Sequence, residues 1–326
     1  MSKKFVLPIS VLIPTMNRPE TLKRTIESYL KGRGYPSQII VVDQSNNKKY
    51  MTENKLILEK CPSAINVVYL YQEKPSLTVA RNKALEYAKE EIIICSDDDI
   101  EIYEETLNNI FFIMKKKSIA MIAGIDDNTA LSKTNIGYVL GTKSYINRKI
   151  GHVTLSMLGR YPDNIQGEVE TQWAMGYFFV IRKSLIKKWD IHWDEKLLEY
   201  AYAEDLDFSY RYYKKAKAQN YKCILHDNVR VKHLVSKEYR IPSCKSTYMF
   251  VLHRAYLAHK YGKGIRGQLA CQWCNFWKLI QRIFHKENPR DLKEAIKYLI
   301  FNRKKIYAGE FYYGDEQPEI KKNYVD

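Results

Sequence analysis

Short apolar runs that alternate with amphipathic helix patterns constrain the first half of this chain more than any other feature. The runs are four or five residues long and almost entirely apolar, as parallel strands covered on both faces are. They lie at 9–13, 39–42, 67–70, 92–95 and 119–123, with helix patterns at 19–32, 77–89 and 106–115. This order predicts right-handed crossovers and an α/β fold with a doubly wound, mixed but mainly parallel sheet flanked by helices.

Polar residues stand directly after three of these runs. Pro14 follows the first, Asp43 the second, and Asp97 to Asp99 come after the fourth. In open parallel sheets, ligands bind beyond the carboxyl ends of the strands. We therefore expect these residues to converge on one crevice.

Three adjacent carboxylates at Asp97, Asp98 and Asp99 form the strongest local signal. Because like charges repel, such a cluster makes most sense where a divalent cation binds. Hard oxygen ligands suit Mg²⁺ or Mn²⁺, which commonly bridge a carboxylate and a diphosphate. The alternative is a solvated acidic turn.

Two further signals are weaker when taken separately. Glu204 and Asp205 open a helix pattern, where acidic residues are also favoured by the helix dipole alone. A carboxylate there could instead remove a proton from an incoming hydroxyl. His233 ends a short strand pattern, and a lone histidine is more often structural than a ligand.

Together and in this order, the features resemble the family 2 glycosyltransferases of the GT-A fold, which have a Rossmann-like sheet. The resemblance covers roughly residues 11–236 and includes a Pro-x-x-Asn-Arg turn and an Asp-x-Asp (DXD) motif. Its landmarks are Pro14 to Arg18, Asp43, Ala80-Arg81-Asn82, Asp97-Asp98-Asp99, Ala174-Met175-Gly176, Glu204-Asp205 and His233.

The resemblance implies a role for each landmark. The donor nucleotide would be bound by Pro14, Asn17, Arg18, Asp43, Arg81, Asp97 and Asp98. Mn²⁺ or Mg²⁺ would be held by Asp97 and Asp99, with His233 as a further ligand. Asp205 would be the general base and Glu204 would help to position the acceptor, beside a wall formed by Trp173, Met175 and Gly176.

The implied activity is transfer of one sugar, with inversion, from a nucleotide-sugar to a hydroxyl of a glycan or lipid-linked acceptor in bacterial surface polysaccharide synthesis. UDP is the commonest donor nucleotide in the relatives. The Gln-x-x-Arg-Trp motif of processive synthases is absent, which favours a non-processive enzyme. Two departures concern Gln44, where many relatives carry a second aspartate, and Lys74-Pro75-Ser76, where glycine is common.

The donor and acceptor roles also suggest how the chain divides into domains. We expect a catalytic domain at 1–240, with a nucleotide-binding half to about residue 125 and an acceptor-binding half from 126 onward. Residues 124–170 have an irregular polar pattern, and order resumes with a strand at 177–181 and a helix at 202–216. Residues 241–326 are expected to form a basic, aromatic-rich helical region.

The positive charge of the chain is concentrated in its last third. The chain has 53 Lys and Arg against 37 Asp and Glu, a formal net charge of +16, and residues 211–310 alone hold 23 basic and 6 acidic side chains. Such a field could serve nucleic acid, an anionic membrane or a phosphorylated substrate. Zinc-finger, RNP-like and helix-turn-helix patterns are absent, so nucleic acid is not expected as a partner. A basic nucleic-acid-binding protein stays an alternative, as does a nucleotidyltransferase on a similar sheet.

Apolar residues recur at helical spacing between Ile265 and Phe284, with Trp273, Phe276 and Trp277 among them. This face could pack on the catalytic domain. It could also lie on an anionic membrane, a contact that would involve residues 245–305 and make the protein peripheral on the inner face of the cell membrane.

The remaining features bear on location. No run of eighteen apolar residues occurs, so no transmembrane helix is expected, and the first residues lack a signal-peptide pattern. The six cysteines include one C-x-x-C pair, Cys271 and Cys274, without a second pair to complete a zinc site. We expect a cytoplasmic protein with reduced thiols.

Overall fold

The computed structural model of the chain describes residues 4–127, 145–146, 149–162, 164–198, 201–235 and 243–313. Its strands are β1 (Phe5–Thr15), β2 (Gly34–Asp43), β3 (Asn66–Tyr71), β4 (Ile92–Ser96), β5 (Ile100–Ile102), β6 (Ile119–Asp126), β7 (Tyr145–Ile146), β8 (His152–Val153), β9 (Gly159–Pro162), β10 (Glu168–Glu170), β11 (Phe178–Arg182) and β12 (Lys222–His233). Its helices are α1 (Pro19–Lys31), α2 (Lys48–Glu59), α3 (Leu77–Tyr87), α4 (Thr106–Met114), α5 (Lys183–Trp189), α6 (Glu204–Ala218), α7 (Ser243–Lys260), α8 (Gly264–Phe284) and α9 (Arg290–Ala308).

A nine-stranded sheet forms the centre of the described residues, in the order β10-β12-β6-β11-β4-β1-β2-β3 with β5 paired to β12. Strands β3, β2, β1 and β4 are parallel neighbours, as are β6 and β12. Strand β11 runs antiparallel between β4 and β6. The predicted α/β fold with a mixed, mainly parallel sheet is confirmed.

Alternate residues of each central strand face two separate hydrophobic cores. In β1, Val11 and Ile13 pack in one core with α1 and α4, whereas Leu12 packs in the other with α3, α6 and α7. The central strands are thus covered on both faces, which explains why their sequences are apolar runs and not alternating patterns.

Some elements were not predicted from the sequence. Helix α2 has few buried residues, Asn54 and Leu58, so its apolar periodicity is weak. The segment at 124–170, expected to be irregular, contains the short strands β7 to β10 in its described part, and β10 pairs with β12 at the edge of the central sheet.

The C-terminal helices share a core with the sheet. Leu252 of α7 and Leu299 of α9 belong to the same hydrophobic cluster as Leu12 of β1. The division into a domain at 1–240 and a region at 241–326 stays a prediction. None of the described helices is both long and apolar enough to span a membrane.

Candidate active site

The carboxyl ends of β1, β2 and β4 meet at one edge of the sheet because these strands are parallel. Strand β11 starts at the same edge, since it is antiparallel and Phe178 pairs with Ser96; the Asp97 amide donates a hydrogen bond to the Tyr177 carbonyl at 2.9 Å. The N-terminus of α6 completes a cavity of about 870 Å³, within the usual range for small-molecule sites.

Asp97, Asp99 and His233 come together in this cavity. One ligand atom of each lies within 4.8 Å of the other two, and His233 Nε2 is 3.2 Å from Asp99 Oδ1. The imidazole also stacks on Tyr177, with ring centroids 5.1 Å apart. Two carboxylates and an imidazole are a donor set that suits Mn²⁺ and Mg²⁺ sites, so these three residues fit a divalent cation.

Burial and neighbouring charges shift the pKa values of Asp97 and His233. Burial raises the pKa of Asp97, with Arg81 acting in the opposite direction and Asp99 adding to the rise. Burial alone would lower the pKa of His233, but the hydrogen bond and charge of Asp99 reverse the effect and the net shift is upward.

Asp98 is buried and is not among the three clustered ligands. Its Oδ2 accepts a hydrogen bond from the Thr15 hydroxyl at 2.7 Å, its Oδ1 lies 3.2 Å from Arg18 Nη1, and its carbonyl accepts from the Thr25 hydroxyl at 2.6 Å. Burial raises the pKa of Asp98 to about 7, against the effects of Arg18 and Thr15. Asp98 therefore joins β1 and α1 to the acidic motif while its side chain still borders the cavity.

Arg81 connects the acidic motif to the N-terminus of α6. Its Nη2 donates to Asp97 Oδ1 at 2.8 Å and to the Gly176 carbonyl at 2.9 Å, and its Nη1 lies 3.0 Å from Glu204 Oε1. The side chain is 2% exposed. Burial alone would lower the pKa of Arg81, but Glu204 and Asp97 raise it. Among the described residues, Nη2 is hydrogen-bonded, whereas the buried Nη1 has the ion pair with Glu204 but no hydrogen-bond partner, and the residue borders the cavity.

Asp205 is fixed by two backbone amides. Its Oδ2 accepts from Gly176 N at 2.8 Å and its Oδ1 from Leu206 N at 2.7 Å. Burial raises the pKa of Asp205 while these two N–H groups lower it. A Cβ on Gly176 would lie 3.1 Å from both Asp205 Cβ and Glu204 Oε1, so a larger residue would push the turn before β11 and the N-terminus of α6 apart by a few tenths of an ångström.

Glu204 has one oxygen on Arg81, whereas its Oε2 is buried and has no hydrogen-bond partner in the described structure. Burial raises the pKa of Glu204 and Arg81 opposes the rise. The preceding loop holds Ala201 and Ala203 at φ of 52° and 65°. Left-handed backbone at non-glycine residues is strained and concentrates at functional sites.

Trp173, Met175 and Gly176 border the cavity, and their role as an acceptor wall stays a prediction. Trp173 is nearly buried, its indole N–H donates to the Arg160 carbonyl at 3.2 Å, and its ring covers Gly159 so closely that a Cβ there would lie 2.2 Å from it. The Met175 amide donates to the Tyr161 hydroxyl at 2.9 Å.

Asn17 and Asp43 are the two predicted site residues that do not border the cavity in the described structure. Asp43 is fully buried and accepts hydrogen bonds from the Ser45 amide, Asn54 and the Tyr69 hydroxyl at 2.8 Å each. It therefore ties β2 to α2 and β3. Its contact with a nucleotide base stays a prediction.

Other lining residues were missed by sequence reasoning. Gln44 borders the cavity and accepts from the Ser76 amide at 2.7 Å, which holds the loop that carries Lys74 to Ser76. Lys245 and Ser246 reach the cavity from α7. No sequence motif marks the two α7 positions. Gln44 and Ser76 were marked only as departures from the pattern of the family.

The mixed, mainly parallel sheet with flanking helices, and the carboxylates at its edge, are those of the GT-A fold class. The structure is similar to S. aureus TarS 1–349, with 20% identity, a TM-score of 0.51 and coverage of 79% of this chain and 64% of that one. TarS 1–349 in complex with UDP-GlcNAc gives 18% identity, a TM-score of 0.50 and coverages of 86% and 73%. Mannosyltransferase PcManGT of Pyrobaculum calidifontis was solved with GDP-Man and Mn²⁺. It gives 13% identity and a TM-score of 0.53, with coverage of 92% of this chain and 82% of that one.

The sequence model of "Glycosyl transferase family 2" matches residues 10–190, more than half of the chain. The chain belongs to this family. It is also similar to the poly(ribitol-phosphate) beta-N-acetylglucosaminyltransferase TarP of Staphylococcus aureus (strain N315), with 28% identity over 120 residues. That match spans 36% of this chain and 36% of TarP.

Proposed function

We propose that the chain transfers one sugar per encounter, with inversion, from a UDP-linked donor to a hydroxyl of a glycan or lipid-linked acceptor in bacterial surface polysaccharide synthesis. The observation that carries the proposal is one cavity bordered both by Asp97, Asp99 and His233 and by the Asp205 carboxylate. A donor diphosphate and an acceptor hydroxyl need these two environments side by side.

On the donor side, Asp97, Asp99 and His233 would hold Mn²⁺ or Mg²⁺. When bound, such a cation stabilises the negative charge that develops on the departing nucleoside diphosphate. Arg81 keeps Asp97 in position at 2.8 Å, and Tyr177 supports the His233 ring. Arg18 lies at the same end of the cavity as the Asp98 carboxylate that it pairs with.

On the acceptor side, Asp205 would take the proton of the attacking hydroxyl. Its two oxygens each accept one backbone N–H, which leaves lone pairs for the hydroxyl. A bond forms between the acceptor oxygen and the anomeric carbon while the bond from that carbon to the diphosphate oxygen breaks. One in-line displacement inverts the anomeric configuration. Glu204, which forms an ion pair with Arg81, would help to position the acceptor.

The relatives support the choice of donor and acceptor. TarS has been solved with UDP-GlcNAc, and TarP is named for N-acetylglucosamine transfer to poly(ribitol-phosphate). A polymer of the cell surface is therefore the acceptor class we propose for this chain. A location at the inner face of the cell membrane belongs to the same proposal.

The donor is tested by thermal unfolding against a panel of nucleoside diphosphates and their sugars, with Mn²⁺ and with EDTA. A ligand at one hundred times its dissociation constant stabilises a fold by about 2.7 kcal/mol. We expect stabilisation by uridine nucleotides that disappears in EDTA. A chain that responds to no nucleotide would refute the donor site.

The general base is tested by Asp205→Asn. Turnover should fall by roughly 10²–10⁴, the usual contribution of a general base, while donor binding stays nearly unchanged. Asp190→Asn, at an exposed aspartate, is the matched control and should retain full turnover. Collapse of donor affinity in Asp205→Asn would remove Asp205 from the role of base.

A further inference from the structure

Helix α8 exposes large apolar side chains and buries small and polar ones, the reverse of an ordinary surface helix. Surface helices of globular proteins bury their apolar face and expose their polar face. In α8, the buried residues are Gly267, Cys271, Cys274 and Asn275, whereas Trp273 is 52% and Phe284 81% exposed.

The exposed apolar residues of α8 form a single stripe. They are Ile265, Leu269, Trp273, Phe276, Ile283 and Phe284. At 3.6 residues per turn, successive residues are about 100° apart, so these six fall within an arc of about 100°. A continuous exposed apolar stripe is a sign of an interaction surface and not of scattered surface residues.

The opposite side of α8 is fixed to the protein by specific contacts. Asn275 Oδ1 accepts a hydrogen bond from the buried Arg254 of α7. The Cys274 thiol lies 3.3 Å from the Ser156 hydroxyl, and Arg282 Nη2 donates to the Thr247 hydroxyl at 2.8 Å. The helix cannot rotate its stripe inward without breaking these bonds.

Helix α9 adds a second apolar and basic face. Ile300 is 59% and Phe301 76% exposed, and Lys293 and Lys297, both exposed, precede Ile300 by seven and three residues. On a helix this spacing puts the two lysines within about 60° of Ile300. From 264 to 308 the chain has ten Lys and Arg against three Asp and Glu.

We propose that α8 and α9 form a docking surface for an anionic lipid bilayer, called here the α8/α9 surface and made of the α8 stripe with Lys293, Lys297, Ile300 and Phe301. Apolar and tryptophan side chains would enter the headgroup region and the basic side chains would contact the lipid phosphates. The charge argues against a second copy of the chain, because a twofold contact would bring like-charged lysines together. The inference deepens the membrane location given with the proposed function and rests on it in that respect. Flotation measures vesicle binding without sugar transfer, so either proposal can fail alone.

The test is flotation of the full chain with vesicles of phosphatidylcholine alone or mixed equally with phosphatidylglycerol, at low and high salt. We expect binding to the mixed vesicles at low salt and a marked loss at high salt, since surface charge is screened. Each lysine near an anionic surface contributes about fivefold to binding, so Lys293→Glu/Lys297→Glu should weaken it by about 30-fold or more. Trp273→Ser/Phe276→Ser should weaken it at least tenfold.

Matched controls separate the surface from general charge and hydrophobicity. Lys187→Glu/Lys188→Glu carries the same charge change on exposed positions of α5, and Phe112→Ser removes an exposed aromatic ring from α4. Both should bind like the unaltered chain. Failure of the unaltered chain to bind mixed vesicles at low salt would overturn the proposal. So would a dimer, seen by light scattering, that Trp273→Ser/Phe276→Ser dissolves while vesicle binding is unchanged.

Discussion

The buried ion pair of Arg81 and Glu204 should determine much of the stability around the site. The two side chains are 2% and 5% exposed and lie 3.0 Å apart. Arg81→Met would leave the Glu204 carboxylate buried without its cation. Loss of one partner of a buried pair destabilises proteins by about 3–5 kcal/mol, so we expect a decrease of about 3–4 kcal/mol in the free energy of unfolding at pH 7.5, within the limit derived below.

The pH limits how far Arg81→Met can lower the free energy of unfolding. Without Arg81, the carboxyl of Glu204 would take up a proton, because burial already raises its pKa. Keeping neutral a carboxyl that ionises near pH 4.3 in the unfolded chain costs about 1.4 kcal/mol per pH unit above that value, or about 4 kcal/mol at pH 7.5. The folded variant then binds more protons than the unfolded chain, so its stability rises as the pH falls. This upper limit on the decrease falls to about 1.5 kcal/mol at pH 5.5.

Urea unfolding followed by circular dichroism at pH 7.5, 6.5 and 5.5 measures this effect. Adding Glu204→Gln to Arg81→Met removes the buried charge, so the double variant should recover most of the loss at pH 7.5 and lose the pH dependence. Arg33→Met, in the exposed 2.7 Å pair of Arg33 with Glu105, is the matched control and should change stability by less than about 0.5 kcal/mol. Equal stability of the single and double variants at every pH would refute the reasoning.

Three further changes test other parts of the molecule. Asp99→Ala should abolish the difference in nucleotide-induced thermal shift between Mn²⁺ and EDTA, and an unchanged difference would remove Asp99 from the cation site. Burial lowers the pKa of His253 to about 4, below the value of about 6.5 in the unfolded chain. The free energy of unfolding should therefore be highest above about pH 6.5 and fall by about 3 kcal/mol as the pH drops toward 4. In His253→Gln, urea unfolding should show a flatter acid limb, and an equally steep limb would contradict this. Gly159→Ala would force the Trp173 ring to move and should cost about 1–3 kcal/mol in the same assay; unchanged stability would mean that the ring moves freely.

The strand ends were the most predictable part of the fold and of the site. Runs such as 92–95 are apolar because both faces of the sheet are covered, and parallel strands bring their carboxyl ends to one edge. The strand ends thus predicted Asp97 and Asp99, whereas His233 was grouped with them only by the resemblance to family 2 glycosyltransferases. The structure brings the ligand atoms of all three within 4.8 Å of one another.

Contacts between distant segments were not predictable in the same way. Arg81 belongs to a motif that predicts a site residue. Its pairing with Glu204, however, depends on how closely α6 approaches the turn at Gly176. The amphipathic pattern of α8 identifies an apolar face but not the direction in which it points. That direction depends on small and polar residues such as Gly267 and Asn275, which pack inward.

The charges around the cavity link nucleotide binding to cation binding. Both arginines that border it in the described structure are paired, Arg18 with Asp98 and Arg81 with Asp97 and Glu204, while Lys245 reaches the cavity from α7. These guanidinium groups are held by protein carboxylates before a diphosphate enters, so its charge would meet an acidic wall. A divalent cation would reverse the sign of the local field. Nucleotide affinity should therefore rise with cation concentration, and by linkage the cation should bind more tightly to the nucleotide-loaded protein.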